Sequence, residues 1–456
     1  MTTSPLYAPS PCGFLNKCRG QTQVSSGRRA IDVSLGRNDD YATVVNGKRC
    51  LCMAEPRLPL SGIKVLDLSR VLAGPWCAMT LADLGADVIK VEHPVRGDDT
   101  RSWAPFRMGE SAYYLFLNRN KRSVALDITD REVQDMLRAY IAEADVVIEN
   151  YRVGTLEKYR LDYVSARAIN PRIVYCSVTG YGHASPMAHR PGYDFVAQAE
   201  GGLMAATGEV DGQPSKAGVA VADLFSGMNA TQSVLAALIA RDRYGIGQHI
   251  DIALLDGQVA AMLNVASEYL VTGVPPLRFG NAHASVVPYQ AFEAEDGDFV
   301  LAVGNDLQFA VLCRTVIDRS EWAVDAKFRT NAARVANRRE LTDELNAIFR
   351  TRRTADWLER LTACGVPNGK IRRIDEVLDA PEVLARDMVW SVEHPVIGTL
   401  RLIGSPLKLS ETPVRRPAAP PMLGEHTDEV LLDVFGVGET VLAAMKARGV
   451  AGPRPK

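Results

Sequence analysis

The chain has 456 residues, 47% of them hydrophobic and 23% charged, with a formal net charge of −2. That is a globular composition with room for two or three domains, and its charge balance carries no nucleic-acid footprint. The longest apolar runs, such as 234–240, fall far short of a membrane span, and the eight cysteines and seven histidines show no metal-ligand spacing, so reduced thiols, no bound metal and a cytoplasmic protein are expected.

Residues 1–52 are rich in Ser, Gly and Arg and lack sustained periodicity. They read as a disordered leader, taken to residue 56, or as the product of an upstream start codon. The basic excess leaves a mitochondrial transit peptide as the alternative; Asp32, Asp39 and Asp40 and the missing amphipathic face stand against it. From residue 61 strand and helix alternate. Ile63–Leu68 reads as a strand, ended by Ala73-Gly74-Pro75, then Trp76–Leu84 as a short helix and Asp87–Glu92 as the next strand. Ser123–Asp127 is a strand. The helix near 132–143 sets Val133, Met136, Leu137, Tyr140 and Ile141 on one face. Strands follow at Ala144–Glu149 and Arg172–Ser177, and a helix opens at Asp223 with Leu235, Leu238, Ile239 and Arg243 at helical spacing. His249–Leu254 is a further strand, and an apolar helix runs on to about Val271. The alternation predicts an α/β fold with a mostly parallel sheet covered by helices, its first part spanning 57–275. After a linker near 274–281 the texture changes. Two strands, Tyr289–Phe292 and Phe299–Val303, and several helices predict a smaller α+β domain over 286–390. Residues 395–456 return to the large domain, with a strand at Gly398–Ile403, a proline-rich traverse and a last helix opening at Thr427.

Several chemistries are weighed against plainer readings. Glu92 ends the second strand 18 residues after Gly74, close to the spacing of a ribose-binding acid. The turn reads Arg70-Val71-Leu72-Ala73-Gly74-Pro75, though, and one glycine does not make a dinucleotide fingerprint. Neither a Gly-x-Ser-x-Gly elbow nor a Walker-type loop occurs. Asp223 ends the apolar run Val219–Ala222 where a helix begins. It reads as a helix cap or as an ionised carboxylate poised to attack. Tyr193 and Asp194 sit in a loop after a strand of the sheet, as ligand-site residues or as the start of the helix at 195–200.

Six ordered segments carry a resemblance: Gly62–Pro75, Leu84–Glu92, Asn120–Ser123, Glu149–Tyr151, Pro191–Asp194 and Leu423–Thr427. Together they resemble the class III CoA-transferases, the formyl-CoA and carnitine CoA-transferase family. Gly97–Arg101, Cys176–Gly182 and Val287–Phe292 are most similar to the succinate–hydroxymethylglutarate CoA-transferase branch. The resemblance implies a large Rossmann-like domain with a smaller α+β domain, in an interlocked ring-shaped homodimer whose sites lie between the large domain of one chain and the small domain of the other. It implies acyl-CoA and a short dicarboxylic acid as substrates, coenzyme A as co-substrate, and no tightly bound cofactor, nucleic acid or membrane partner. Asp223 becomes the nucleophile, ionised at its ordinary pKa of about 3.9 and helped by helix amides. Oxyanion donors are sought near Gly201-Gly202 or the small-domain loop.

Coenzyme A contacts carry over to Arg70, Val71, Leu72 and Ala73, to Leu126 and Ile128, to Asn150 and Tyr151, to Lys158 and to Tyr193. Alone, Lys158 reads as a solvated lysine and Leu126 and Ile128 as strand core. Leu72 stands where formyl-CoA transferases carry glutamine, and 280–288 lacks their glycine run, which weakens formate or oxalate as substrate. Tyr193 stands where the related 2-methylacyl-CoA racemases carry a histidine base, which disfavours that alternative. A non-catalytic CoA-binding protein is the other alternative. Arg101, Arg107 and Arg278 are candidates for the far carboxylate of the acceptor acid.

Overall fold

A computed structural model describes residues 43–45, 48–50 and 57–454. The expected leader at 1–56 falls outside these except for a short antiparallel hairpin, Thr43–Val45 with Lys48–Cys50. Residues from Arg57 onward form one compact unit.

Its centre is a six-stranded, wholly parallel sheet. The strands are β1 (Lys64–Asp67), β2 (Asp87–Glu92), β3 (Arg122–Ala125), β4 (Val146–Glu149), β5 (Val174–Thr179) and β6 (Gln248–Ala253), in spatial order β6-β5-β4-β1-β2-β3. Neighbouring residues of one strand face opposite sides. Val65, Val88, Val146 and Ile148 therefore pack under α1 (Ala73–Asp83) and α4 (Val221–Tyr244), while Leu66, Ile89, Val91 and Val147 pack under α2 (Arg131–Ile141) and the C-terminal segment. On α2, Val133, Leu137, Tyr140 and Ile141 are buried, as the periodicity predicts. Burying each such side chain fully contributes roughly 1.5–3 kcal/mol. The strand order reverses between β1 and β4, so the chain opens a crevice at their carboxyl ends, where parallel sheets bind ligands.

Two readings change in detail. The single apolar helix after β6 is two, α5 (Leu254–Ala261) and α6 (Leu263–Thr272), broken at Met262. The strand Gly398–Ile403 pairs with Val389–His394 in a separate hairpin instead of joining the large sheet. That hairpin packs its Val392, Leu400 and Leu402 on Leu115. The tail does reach the large sheet further on: Thr427 Oγ1 accepts from Ala125 N at 3.0 Å, and Leu126 bridges Ala451.

The smaller α+β unit has a three-stranded antiparallel sheet, Tyr289–Ala294 with Gly297–Ala302 and then Asn368–Lys370. Its core is aromatic: the ring of Phe349 lies 5.1 Å from each of Phe292, Phe299 and Trp357. The Trp357 indole donates to Phe349 O at 2.7 Å, so its one polar atom is satisfied in the core.

Candidate active site

Asp223 lies in the first turn of α4 and is partly buried. The residue before the helix, Ala220, has no side chain to cap it, and Asp194 takes that role from a distant part of the chain. Its Oδ1 accepts from Ala222 N at 2.9 Å and from Asp223 N at 3.5 Å. Gln198 is buried and holds Asp194 in place: its Nε2 donates to Asp194 Oδ2 at 2.6 Å and its Oε1 accepts from Ala217 N at 2.9 Å. The helix amides expected to hold the charge of Asp223 are thus occupied by a neighbouring carboxylate. Burial first, and then the charge of Asp194, push the Asp223 carboxyl up to about 7. This corrects the expectation of an ordinary, fully ionised aspartate. Among the described residues no cation offsets these effects. Tyr113 is close enough to feel both charges, and with burial they raise its phenol.

One helical turn after Asp223, Gly227 brings α4 against the start of α1. A Cβ at Gly227 would stand 2.8 Å from Ala73 O and 3.0 Å from Trp76, so only glycine permits this approach. The turn that follows β1 is thereby set beside the nucleophile candidate.

Arg70 of that turn, Tyr151 just past β4 and the end of β2 line the crevice. Asn150 clasps Arg70 by both backbone groups, accepting from Arg70 N at 2.9 Å and donating to Arg70 O at 2.6 Å. The Arg70 guanidinium lies over the Tyr151 ring at 5.1 Å and pairs with Asp99 at 3.2 Å. A cavity of about 250 Å³ opens here, and Arg70, Leu126, Ile128 and Tyr151 line it together with His93 and Arg96, two residues that sequence reasoning did not select. Leu126 is itself buried to 1% exposure, so it is strand-end core as well as cavity wall. Leu72 and Ala73 are buried at the start of α1. Lys158 is exposed on the short turn Leu156–Tyr159; its neighbours Thr155 and Tyr159 reach the cavity wall and it does not. Tyr193 is 63% exposed and lies apart from this cavity, next to Asp194. Glu149, under Tyr151, accepts from Tyr151 N at 2.8 Å and is pushed up to about 7 by burial.

Glu92 is excluded as a ribose ligand. Its carboxylate is shared among Arg101 at 2.7 and 2.8 Å, Ser123 at 2.6 Å and Tyr114 at 3.0 Å. Although burial works against ionisation, Arg101 holds Glu92 down at about 2. The same pairing removes Arg101 from the candidates for an acceptor carboxylate. Arg278 is spent on backbone oxygens of Glu209 and Gly212, while Arg107 stays exposed. Among the described residues no group of three His, Cys, Asp or Glu side chains lies close enough to hold a metal ion, and no helix is long and apolar enough to cross a membrane.

A parallel sheet with a switch-point crevice, and a raised aspartate at a helix start that does not itself line the cavity, define a ligand-binding α/β class. The sequence model of CoA-transferase family III matches residues 60–427. A succinyl-CoA:glutarate CoA-transferase of Mus musculus is 43% identical over 393 residues, covering 86% of this chain and 90% of that protein. A succinate–glutarate CoA-transferase of Agrobacterium fabrum is 44% identical over 400 residues, covering 85% and 98%. The crystal structure of a CAIB/BAIF family protein from Brucella suis superposes with a TM-score of 0.74 at 44% identity, covering 83% of this chain and 99% of that one. The chain belongs to CoA-transferase family III and is a CoA-transferase.

Proposed function

We propose that the enzyme moves CoA from succinyl-CoA to a short dicarboxylic acid such as glutarate, hydroxymethylglutarate or itaconate, with Asp223 as nucleophile. The observation that carries this reading is the Asp223 carboxylate itself, partly buried, with no cationic partner among the described residues and set one turn from the approach of α4 to Ala73. The activities named for the relatives at 43% and 44% identity support the substrate class.

In the proposed reaction a carboxylate oxygen of Asp223 attacks the thioester carbonyl. The C–S bond breaks, CoA thiolate leaves, and a mixed anhydride forms on Asp223. The thiolate attacks the aspartyl carbonyl, releasing the donor acid and leaving an aspartyl-CoA thioester. The acceptor carboxylate attacks that thioester, and the thiolate then attacks the acceptor's acyl carbonyl, which frees Asp223. A carboxylate suits this cycle because its acyl and thioester adducts stay as reactive as the substrate. A carboxyl raised to about 7 is still ionised in about half the molecules at neutral pH and is more basic than an ordinary aspartate.

In the same reading the crevice takes the nucleotide end of CoA. The Arg70–Ala73 turn offers the backbone groups that Asn150 and Asp98 leave free, Leu126, Ile128 and Tyr151 offer walls, Asn150 fixes the turn, and Lys158 and Tyr193 act from outside the cavity. The active form is a homodimer. Leu263, Leu270 and Val271 of α6 are 75%, 80% and 85% exposed, an apolar face suited to a second copy of the chain. The test is a panel of carboxylic acids with succinyl-CoA, scored by mass for new thioesters. Glutarate, hydroxymethylglutarate or itaconate thioesters are expected; free CoA and succinate as sole products with every acid would refute the assignment.

A further inference from the structure

Val71 has φ +71°, a left-handed backbone that a β-branched residue adopts only where its surroundings impose it. Three side chains hold residues 69–71 there. Asn150 clasps Arg70, as described. Asp98 Oδ1 accepts from Val71 N at 3.3 Å, and Lys90 Nζ donates to Ser69 O at 2.8 Å. Lys90 and Asp98 in turn pair with each other at 3.0 Å, both side chains fully buried. Asp98 Oδ1 also accepts from Thr100 N at 2.9 Å and Thr100 Oγ1 at 2.7 Å, and Asp98 N donates to Glu92 Oε2 at 2.9 Å. Lys90 is further tied to Asp67 at 3.9 Å. A buried ion pair is a poor source of stability, since apolar residues of equal volume do as well or better. These two charges grip the backbone at two points, Ser69 O and Val71 N, leading into the one strained residue in the turn beside the crevice.

We infer that the buried Lys90–Asp98 pair is a positioning device that holds the Arg70–Val71 turn in its left-handed form, the form in which the turn receives CoA. The inference rests on the proposal that this turn binds CoA. Both side chains are fully buried, although they stand in the wall of the cavity, and each acts through the backbone of the turn, Asp98 at Val71 N and Lys90 at Ser69 O.

A cycle of variants tests it, because glycine takes a left-handed φ without cost and needs no clamp. Asp98→Asn keeps an acceptor for Val71 N but drops the charge that fixes Lys90. In the wild-type background it should raise KM for succinyl-CoA about tenfold with kcat changed less than about twofold, a loss of about 1.4 kcal/mol in binding. In the V71G background the same substitution should raise KM no more than about twofold relative to V71G alone. If Asp98→Asn does not give folded protein, Lys90→Gln, which keeps a donor for Ser69 O, carries the same cycle. An equal KM penalty in both backgrounds would mark the pair as merely structural and overturn the inference. Arg70→Ala separates it from the reading beneath: if that variant raises KM while Asp98→Asn does not, the positioning role falls and the CoA site stands. If neither moves KM, both fall.

Discussion

Asp223 carries the chemistry in this reading, and two neighbours set its character. Asp223→Ala should fold and lose at least about 10³-fold in transfer rate, measured by thioester exchange with succinyl-CoA. Asp194 raises the Asp223 carboxyl by its like charge, so kcat/KM should climb with pH through a limb near 7. Burial is the larger cause and the charge of Asp194 the second, so Asp194→Asn should move that limb down without restoring an ordinary aspartate. Glu149 is also raised to about 7, by burial and not by Asp194, so an unmoved limb in Asp194→Asn would assign it elsewhere. Stability should follow the same carboxyl. Its folded pKa stands above its unfolded one, so its ionisation opposes folding above about pH 4 and most fully above pH 7. Asp223→Asn should therefore raise the melting temperature at pH 8 and leave it unchanged near pH 3. What sequence alone missed at this scale is a tertiary event. Asp194 reads as the start of its own helix, and nothing in local spacing reveals that its carboxylate caps a helix 28 residues later.

At the scale of elements, the strand Gly398–Ile403 has the bounds its alternating pattern gives, and α2 buries its apolar stripe. Pattern speaks where one face is buried and one is not. It is silent on pairing, which is why the partner of Gly398–Ile403 and the break at Met262 were not legible. The motifs behave differently again. Gly97–Arg101 is legible only as family wording, yet in the fold Asp98 holds the Val71 amide and Arg101 neutralises Glu92. Gly227 has a comparable role between two helices. Gly227→Ala should force α4 off Ala73 and Trp76, costing about 1–3 kcal/mol in denaturant unfolding and raising KM for succinyl-CoA, because the turn proposed to bind CoA leads directly into α1.

For the molecule as a whole, the exposed apolar face of α6 is the surface proposed to meet a second copy. Leu270→Asp with Val271→Asp should yield monomer in light scattering after gel filtration, with transfer activity falling in step; a dimer of full activity would separate this face from assembly. The central claim, covalent loading of Asp223, can be read in one peptide. Trypsin cleavage after Lys216 and Arg241 leaves residues 217–241, in which Asp223 is the sole acidic side chain. The measurement is peptide mass spectrometry after incubating the enzyme with succinyl-CoA and hydroxylamine. A hydroxamate on 217–241, dependent on succinyl-CoA and absent without it, is the expected result. Sustained turnover with that peptide unmodified, or a hydroxamate on some other peptide, would contradict it.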